Sequence, residues 1–290
     1  MLTFDHDETL DEARSRNVRD ALLEDIGRGD WTGRLVPAGE RVRARVLVRE
    51  PAVLCGRDWF DAVVDALDPQ ARVQWRADEG ARLAAGSEVC QLEGNARALL
   101  AAERPALNFL QLLSATATQT RRYVDAAAGA SPHPRGCAIL DTRKTLPGLR
   151  LAQKYAVRVG GGANQRLALY DGILIKENHI MAAGGIAPAL AAARAQAQPG
   201  TMIQVEVETL AQLEEAIAAG AKLILLDNFT PERMAEAVRI NAARAELEAS
   251  GGINLDTIAT YARTGVDRIS IGALTKDIRA IDLSMRFQAG

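Results

Sequence analysis

Histidine and cysteine are both scarce in this chain of 290 residues, which has three of each. The cysteines lie far apart and form no C-x-x-C pair, a spacing that predicts buried free thiols rather than disulfides. A structural zinc site needs about four such ligands close together and is not expected from so few. We therefore expect a protein of a reducing compartment, the cytoplasm.

Long apolar runs and a strong excess of one charge are missing as well. No uncharged apolar stretch approaches the ~18 residues of a transmembrane helix. The N-terminal segment MLTFDHDETLDEARSRNVRD is acidic and lacks the apolar core of a signal peptide. The formal net charge is -2, whereas general nucleic-acid binding needs a broad basic face. Neither a membrane nor a nucleic acid is expected as a partner.

Positive charge is nevertheless concentrated between positions 135 and 176, where eight basic residues stand against two acidic ones. The same stretch contains the strand-and-turn signal CAILDTRKTLPG, a triple glycine at positions 160–162 and the short apolar segment GILI. Local positive charge in a near-neutral protein favours a pocket for small, multiply anionic ligands, one of them a phosphate.

The predicted pattern of secondary structure changes near residue 117. Residues 1–117 contain short strands such as RVRARVLVRE, whose alternation is typical of a half-exposed antiparallel strand, and we expect residues 277–290 to join this α+β domain. A long helix begins near Ala96. In residues 118–276, strand, loop and helix repeat, which predicts parallel strands with right-handed crossovers. A full barrel needs ~250 residues, so we expect an open, incomplete α/β barrel of six or seven strands.

Charged, hydroxyl-bearing or glycine residues follow every predicted strand of this second domain, at the end where α/β barrels place their active sites. The first ends are cationic, the middle ends are acidic and the last two are rich in glycine. In chain order they are Asp141-Thr142-Arg143-Lys144, Lys176, Glu206 with Glu208, Asp227-Asn228, Ser250-Gly251-Gly252 and Gly272-Ala273. Arginine and lysine suit carboxylates, glycine-rich ends suit phosphate, and acidic ends suit sugar hydroxyls or a Mg²⁺ that the substrate carries. Glu208 could equally cap the following helix.

Several blocks in a fixed order resemble one family. The blocks DTRKTLPGLR, LIKENH, QVEVE, LLDNF, SGGI and TGVDRISIGALT closely resemble quinolinate phosphoribosyltransferase, also called nicotinate-nucleotide diphosphorylase (carboxylating). The resemblance runs from GRGDWTGRLVP to the C-terminal LSMRF. It implies an N-terminal α/β sandwich domain, an open barrel of about seven strands, and a homodimer or dimer-based hexamer. It also implies transfer of a phosphoribosyl group from Mg²⁺-bound phosphoribosyl diphosphate to quinolinate with loss of CO2, which yields nicotinate mononucleotide and diphosphate for NAD biosynthesis.

The resemblance implies a role for each matching residue. The catalytic residues would be Lys144, Lys176, Glu206 and Asp227. The same four would contact the substrates together with Thr142, Arg143, Gln165, Arg166 and, from the partner subunit, Arg104. The 5′-phosphate would be held by Ser250, Gly251, Gly252, Ile271, Gly272 and Ala273. The Mg²⁺ of phosphoribosyl diphosphate would lie near Glu206 and Asp227, with no protein-only metal site.

Gln165 departs from the family pattern GGG-x-NHR, which has His at this position. A neutral amide can donate a hydrogen bond to a carboxylate but adds no positive charge, so we expect Arg143 and Arg166 to carry more of the binding. Two alternatives stay open. One is a homologue that acts on another pyridine carboxylate, which Gln165 slightly favours. The other is a non-catalytic metabolite-binding relative, against which the intact blocks argue.

Overall fold

A computed structural model describes residues 7–288. By contact clustering the chain forms two compact units. Unit 1 comprises Met1–Gln119, Leu146–Gly160 and Asp277–Gly290, and unit 2 comprises Thr120–Thr145 and Gly161–Lys276.

Unit 1 contains a four-stranded antiparallel sheet. With strands numbered in chain order over both units, its members are β1 (Arg41–Val48), β3 (Arg72–Trp75), β5 (Glu88–Asn95) and β12 (Leu283–Phe287), in the order β12-β1-β5-β3. A second sheet pairs β2 (Ala52–Val53) with β4 (Arg82–Leu83). In the RVRARVLV segment Ala44, Val46 and Val48 are buried while the arginines alternate with them, so this alternating pattern forms the strand that it predicts.

The helices of unit 1 pack their apolar sides into one core. They are α1 (Leu10–Asp25), α2 (Arg57–Leu67), the first part of α3 (Ala96–Ala127) and α4 (Arg150–Val159), with a 3-10 turn at Gly33–Leu35. A capping box starts α1: the Thr9 hydroxyl accepts from the Glu12 N–H, and the Glu12 carboxylate accepts from the Thr9 N–H.

Residues 146–160 differ from the sequence-based domain division, which puts them in the barrel. They cluster with unit 1 because α4 buries Ala152 and Ala156 in its core. In addition, the Tyr155 hydroxyl donates to Glu79 at 3.0 Å and its ring lies 5.6 Å from that of Trp59. The apolar face of α4 therefore determines where this insertion packs.

Unit 2 contains a six-stranded parallel sheet. Its strands are β6 (Ala138–Leu140), β7 (Gly172–Ile175), β8 (Met202–Val207), β9 (Leu223–Asp227), β10 (Glu246–Ser250) and β11 (Arg268–Ser270), in the order β6-β11-β10-β9-β8-β7. The described residues contain six parallel strands, which agrees with the six or seven that the length of this region predicts. Beyond β6, Ala163 makes only an isolated parallel bridge to Leu140, so a seventh strand is reduced here to one residue beside the glycines at 160–162.

The helices of unit 2 follow the strands. They are α5 (Glu177–Ala183), α6 (Ile186–Gln196), α7 (Leu210–Ala218), α8 (Pro231–Asn241), α9 (Ile258–Arg263) and α10 (Ala273–Lys276), with the end of α3. Within residues 7–288, no helix combines the length and low polarity that crossing a bilayer requires.

The two faces of the parallel sheet differ in chemistry. Neighbours in register point to the same face, so Glu206, Leu225, Glu248 and Arg268 lie side by side on four adjacent strands. The residues between them in sequence point to the opposite face and are buried aliphatic side chains, such as Val205, Ile224 and Ile269. One face is thus an apolar layer, and the other carries a row of charged and amide groups.

The three cysteines are free thiols, as predicted from their spacing. Cys55 and Cys90 are buried, whereas Cys137 is partly buried. Burial, with a smaller contribution from Asp267, raises the pKa of the Cys137 thiol to about 12. Burial also raises the pKa of the Cys55 and Cys90 thiols, so all three thiols are protonated near neutral pH.

Candidate active site at the carboxyl ends of the parallel strands

The strand order of unit 2 brings the predicted strand-end residues into one row. Along the sheet from β6 to β7, the ends carry Lys144, Gly272, Ser250, Asp227, Glu206 and Lys176. A lysine therefore lies at each end of the row, with glycine loops and carboxylates between them.

Lys176 and Glu206 form an ion pair at one end of this row. Because Ile175 of β7 is opposite Val205 of β8, the next residues on each strand are neighbours. The Lys176 Nζ lies 3.1 Å from the Glu206 Oε2. The lysine side chain is 51% exposed and the glutamate side chain 14% exposed, so the cation is accessible and the carboxylate lies beneath it.

Asp227 is held by the loop after the neighbouring strand. Asp227 is opposite Ser250 in register, and the Asn228 N–H donates to the Ser250 carbonyl at 2.9 Å. The Asn228 side-chain amide donates to the Asp227 carboxylate at 2.8 Å. Gly251, with φ +102°, has no room for a Cβ because the Asn228 amide occupies that space. Glycine at 251 therefore allows Asn228 to orient Asp227.

Lys144 packs against the loop after β11. The Thr275 hydroxyl donates to the Lys144 carbonyl at 2.7 Å, and the Lys144 N–H donates to the Thr142 hydroxyl at 3.0 Å. A Cβ at Gly272 would lie 3.2 Å from the Lys144 Cδ. The lysine stem thus lies along the glycine that begins the last predicted phosphate loop. In the same loop, Ile271 has its side chain buried and its N–H bonded to the Leu140 carbonyl, so neither group is available to a phosphate.

Arg143 and Arg166 are close enough to influence each other electrostatically. The pKa of Arg166 is lowered, first by burial and then by the positive charge of Arg143. An Arg166 Nη donates to the Gly172 carbonyl at 2.9 Å, which fixes the guanidinium near the start of β7. Two neighbouring guanidinium groups favour an anionic ligand such as a carboxylate.

Gln165 is fixed by two buried carboxylates. The Gln165 N–H donates to the Asp141 Oδ1 at 2.9 Å, and the Asn164 amide donates to the other oxygen. The Gln165 side-chain Nε2 donates to the Gln204 Oε1 at 2.9 Å. The Gln204 Nε2 in turn donates to the Glu248 Oε2 at 2.8 Å. Sequence reasoning missed Gln204 and Glu248, although the alternation in QVEVE puts Gln204 on the same strand face as Glu206.

Two further predicted residues take no part in the contacts described above. Arg104 is exposed on α3, in unit 1. Glu208 is exposed beyond the end of β8, and it does not cap α7: Thr209 and Gln212 form the capping box there.

No group of three or more His, Cys, Asp or Glu side chains in the described residues could hold a metal ion. Glu206 and Asp227 follow adjacent strands, and their oxygens are of the type that Mg²⁺ and its bound waters prefer. This donor set suits a Mg²⁺ that arrives with a phosphorylated substrate and keeps most of its ligands from it.

Known proteins match this chain over nearly its full length. Residues 30–114 match the N-terminal domain of quinolinate phosphoribosyl transferase, and residues 116–286 match the C-terminal domain of the same family. The nicotinate-nucleotide pyrophosphorylase [carboxylating] of Mycobacterium leprae is 44% identical over 95% of this chain and 97% of its own length. The probable nicotinate-nucleotide pyrophosphorylase [carboxylating] of Bacillus subtilis is 41% identical over 91% of this chain and 90% of its own length.

A solved structure agrees with these matches. The nicotinate-nucleotide pyrophosphorylase of Francisella tularensis superposes with a TM-score of 0.90 at 43% identity, over 99% of this chain and 100% of that one. Two family models in order, close relatives and a shared fold lead to one conclusion: the chain belongs to the quinolinate phosphoribosyltransferase family.

Proposed function

We propose that this chain transfers the phosphoribosyl group of phosphoribosyl diphosphate to quinolinate with loss of CO2, yielding nicotinate mononucleotide and diphosphate. The observation that carries the proposal is the row of cations, carboxylates and glycine loops along one edge of the parallel sheet. Each part of that row matches one part of the two substrates, and the family relatives are named for this reaction in its two directions.

Quinolinate binding is assigned to Arg143, Arg166 and Gln165, with Thr142 beside them and Arg104 supplied by a partner subunit. Two guanidinium groups match the two carboxylates of quinolinate, and arginine can bind each with paired hydrogen bonds. Their role is to hold the ring nitrogen in line with the C1 atom of the ribose, which is a positioning effect.

Phosphoribosyl diphosphate is assigned to the rest of the row. The loops of Ser250, Gly251 and Gly252 and of Gly272 and Ala273 suit the 5′-phosphate, because glycine lets backbone N–H groups approach an anion. Ile271 contributes to this loop by position only. Lys144 and Lys176 suit the diphosphate. Glu206 and Asp227 would face a Mg²⁺ bound to the substrate, which would supply neutralisation of charge on the diphosphate.

The chemistry follows from these positions. The bond from C1 to the diphosphate oxygen breaks with its electron pair leaving on diphosphate, while the pyridine nitrogen bonds to C1. Positive charge develops at C1, and the carboxylates of Glu206 and Asp227 stabilise it electrostatically. Once the nitrogen is quaternary, the 2-carboxylate leaves as CO2; the electron pair stays on the ring carbon beside N⁺, and that carbon then takes a proton. Few acid–base groups are needed, in agreement with the low histidine content.

Turnover of the purified chain with quinolinate, phosphoribosyl diphosphate and Mg²⁺ tests the proposal by release of CO2 and diphosphate. We expect Lys144→Ala and Glu206→Ala to lower kcat by about 10²–10³-fold, the usual loss for one electrostatic group. Lys222→Ala is the matched control, because Lys222 is an exposed lysine at the opposite, amino end of β9. Near-normal turnover of both site variants would contradict the assignment. A higher kcat/KM with nicotinate than with quinolinate would favour a homologue with another acceptor.

The surroundings of the reaction are also proposed. The free thiols support a cytoplasmic location. A homodimer, or a hexamer built from dimers, would bring Arg104 of one subunit to the site of another.

A further inference from the structure

A line of hydrogen bonds leads from Gln165 into the polar face of the sheet. It passes from Gln165 to Gln204 at 2.9 Å and from Gln204 to Glu248 at 2.8 Å. Gln204 is fully buried, and Glu248 is 1% exposed. The line therefore ends at Glu248 in the interior of unit 2. It begins at Gln165, next to Arg166 in the proposed quinolinate site.

The line has a direction, which its buried end determines. An ionised carboxylate can only accept hydrogen bonds. Gln204 must therefore turn its NH2 group towards Glu248 and its carbonyl oxygen towards Gln165. That oxygen can only accept, so Gln165 must turn its NH2 group towards Gln204.

The charge of Glu248 is balanced from the neighbouring strand. Arg268 of β11 is opposite Glu248 in register, and its Nε lies 3.7 Å from the Glu248 Oε2. The same arginine bonds Glu246 at 3.0 Å through Nη2. Because Glu248 is buried, it keeps the Gln204 amide in one orientation. A reversed Gln204 amide would point its oxygen at the carboxylate and leave buried polar atoms without hydrogen bonds.

We propose that Gln204 and Glu248 are positioning residues for the acceptor: through Gln204, the buried carboxylate fixes the orientation of the Gln165 amide beside Arg143 and Arg166. This inference rests on the proposed function, in which Gln165 contacts quinolinate. A glutamine amide can rotate by half a turn, which exchanges its donor and acceptor groups. The line of hydrogen bonds removes that second state: one hydrogen of the Gln165 NH2 group bonds Gln204, and the same NH2 group is the one that can donate to the substrate carboxylate.

A double-mutant cycle tests the coupling. Gln165→Leu, Gln204→Leu and the double variant are compared for quinolinate Kd by titration calorimetry and for the KM of phosphoribosyl diphosphate. We expect each single variant to weaken quinolinate binding about five- to tenfold, the effect of one lost hydrogen bond, and the double variant to lose little more. The KM of phosphoribosyl diphosphate should change by less than about twofold, because the proposed function assigns that substrate to other residues.

Gln91→Leu is the matched control, because Gln91 is a half-buried strand glutamine of unit 1 that also donates to a carboxylate, that of Glu88, at 2.8 Å. It should leave quinolinate binding unchanged. Fully additive losses in the cycle, or equal losses for both substrates, would show that Gln204 acts only through general stability and would overturn the inference.

Glu248→Gln gives a second route if Gln204→Leu fails to fold. An amide at position 248 keeps the shape but can both donate and accept, so it no longer imposes a direction. We expect a weaker affinity for quinolinate with unchanged KM for phosphoribosyl diphosphate; unchanged affinity contradicts the inference. Absence of turnover by the unsubstituted protein would reject the proposed function alone, because the same cycle measured by thermal unfolding still reports the coupling of Gln165 and Gln204.

Discussion

The site combines two buried carboxylates with two exposed lysines. Asp141 accepts from the backbone of Gln165 and Glu248 accepts from Gln204, whereas Lys176 and Lys144 are exposed. Both lysine side chains are therefore accessible to ligands, whereas Asp141 holds the backbone at Gln165 and Glu248 holds the side chain of Gln204. At the scale of single residues, exposed charges are placed to contact ligands, and buried charges orient the residues around them.

Glu248 should make the stability of the protein depend on pH. Burial raises the pKa of Glu248 above its ordinary value of 4.5, against the opposing effects of Gln204, Arg268 and Ser270. The native state therefore binds a proton more tightly than the unfolded chain does, and the free energy of unfolding falls as pH rises from 4.5 through the native pKa. Glu248→Gln removes this contribution.

Urea denaturation of both proteins at several pH values measures the effect. The stability of the unsubstituted protein relative to Glu248→Gln should decrease as the pH rises above 4.5 and should level off once the pH exceeds the native pKa of Glu248. A relative stability that rises over this range would mean that the carboxylate is stabilised, not penalised, by its surroundings.

The loops that follow β9 and β10 approach each other closely, with Asn228 of one loop against Gly251 of the other. Gly251→Ala introduces a Cβ where the Asn228 amide lies, at a φ of +102°, so Asn228 must move and Asp227 loses its orienting donor. We expect a destabilisation of about 1–3 kcal/mol and a clear loss of kcat/KM for phosphoribosyl diphosphate.

Gly252→Ala is the comparison, because Gly252 also has a positive φ, +62°, but nothing lies within 4 Å of the added Cβ. It should lose only the backbone contribution of about 1–2 kcal/mol. Thermal unfolding and steady-state kinetics of the two variants separate the effects. Equal losses of activity would mean that contact with Asn228 does not matter.

The elements of unit 2 could be predicted from local patterns, because parallel strands are apolar runs followed by polar ends. All six strands of its sheet end at or within two residues of a predicted strand end. Local patterns could not predict which residues far apart in the sequence contact each other. Residues 146–160 pack with unit 1, and the stretch after the glycines at 160–162 contributes a single bridge at Ala163, because contacts with distant residues decide both outcomes. Gln204 and Glu248 were missed for the same reason: β9 separates their strands, and only the register brings them together.

At the scale of the whole molecule, the proposed site combines charged residues from several strands of one chain with Arg104 from a second chain. Arg104 is exposed on α3 and would complete the acceptor site of a partner subunit. A site shared in this way has a consequence that no single-chain site has. Arg104→Ala damages the site to which the subunit donates, whereas Lys144→Ala damages the site that the subunit itself contains.

Co-expression of these two variants should therefore restore activity that neither shows alone. In a mixed dimer, one site receives the intact Arg104 of the Lys144→Ala subunit and the intact Lys144 of the Arg104→Ala subunit. The other site carries both substitutions and stays inactive. Release of CO2 from quinolinate by the co-purified mixture, with differently tagged subunits, measures the recovery. Purified mixed dimers that are as inactive as either parent would place Arg104 in the site of its own subunit. An Arg104→Ala protein that is active by itself would place Arg104 outside the site.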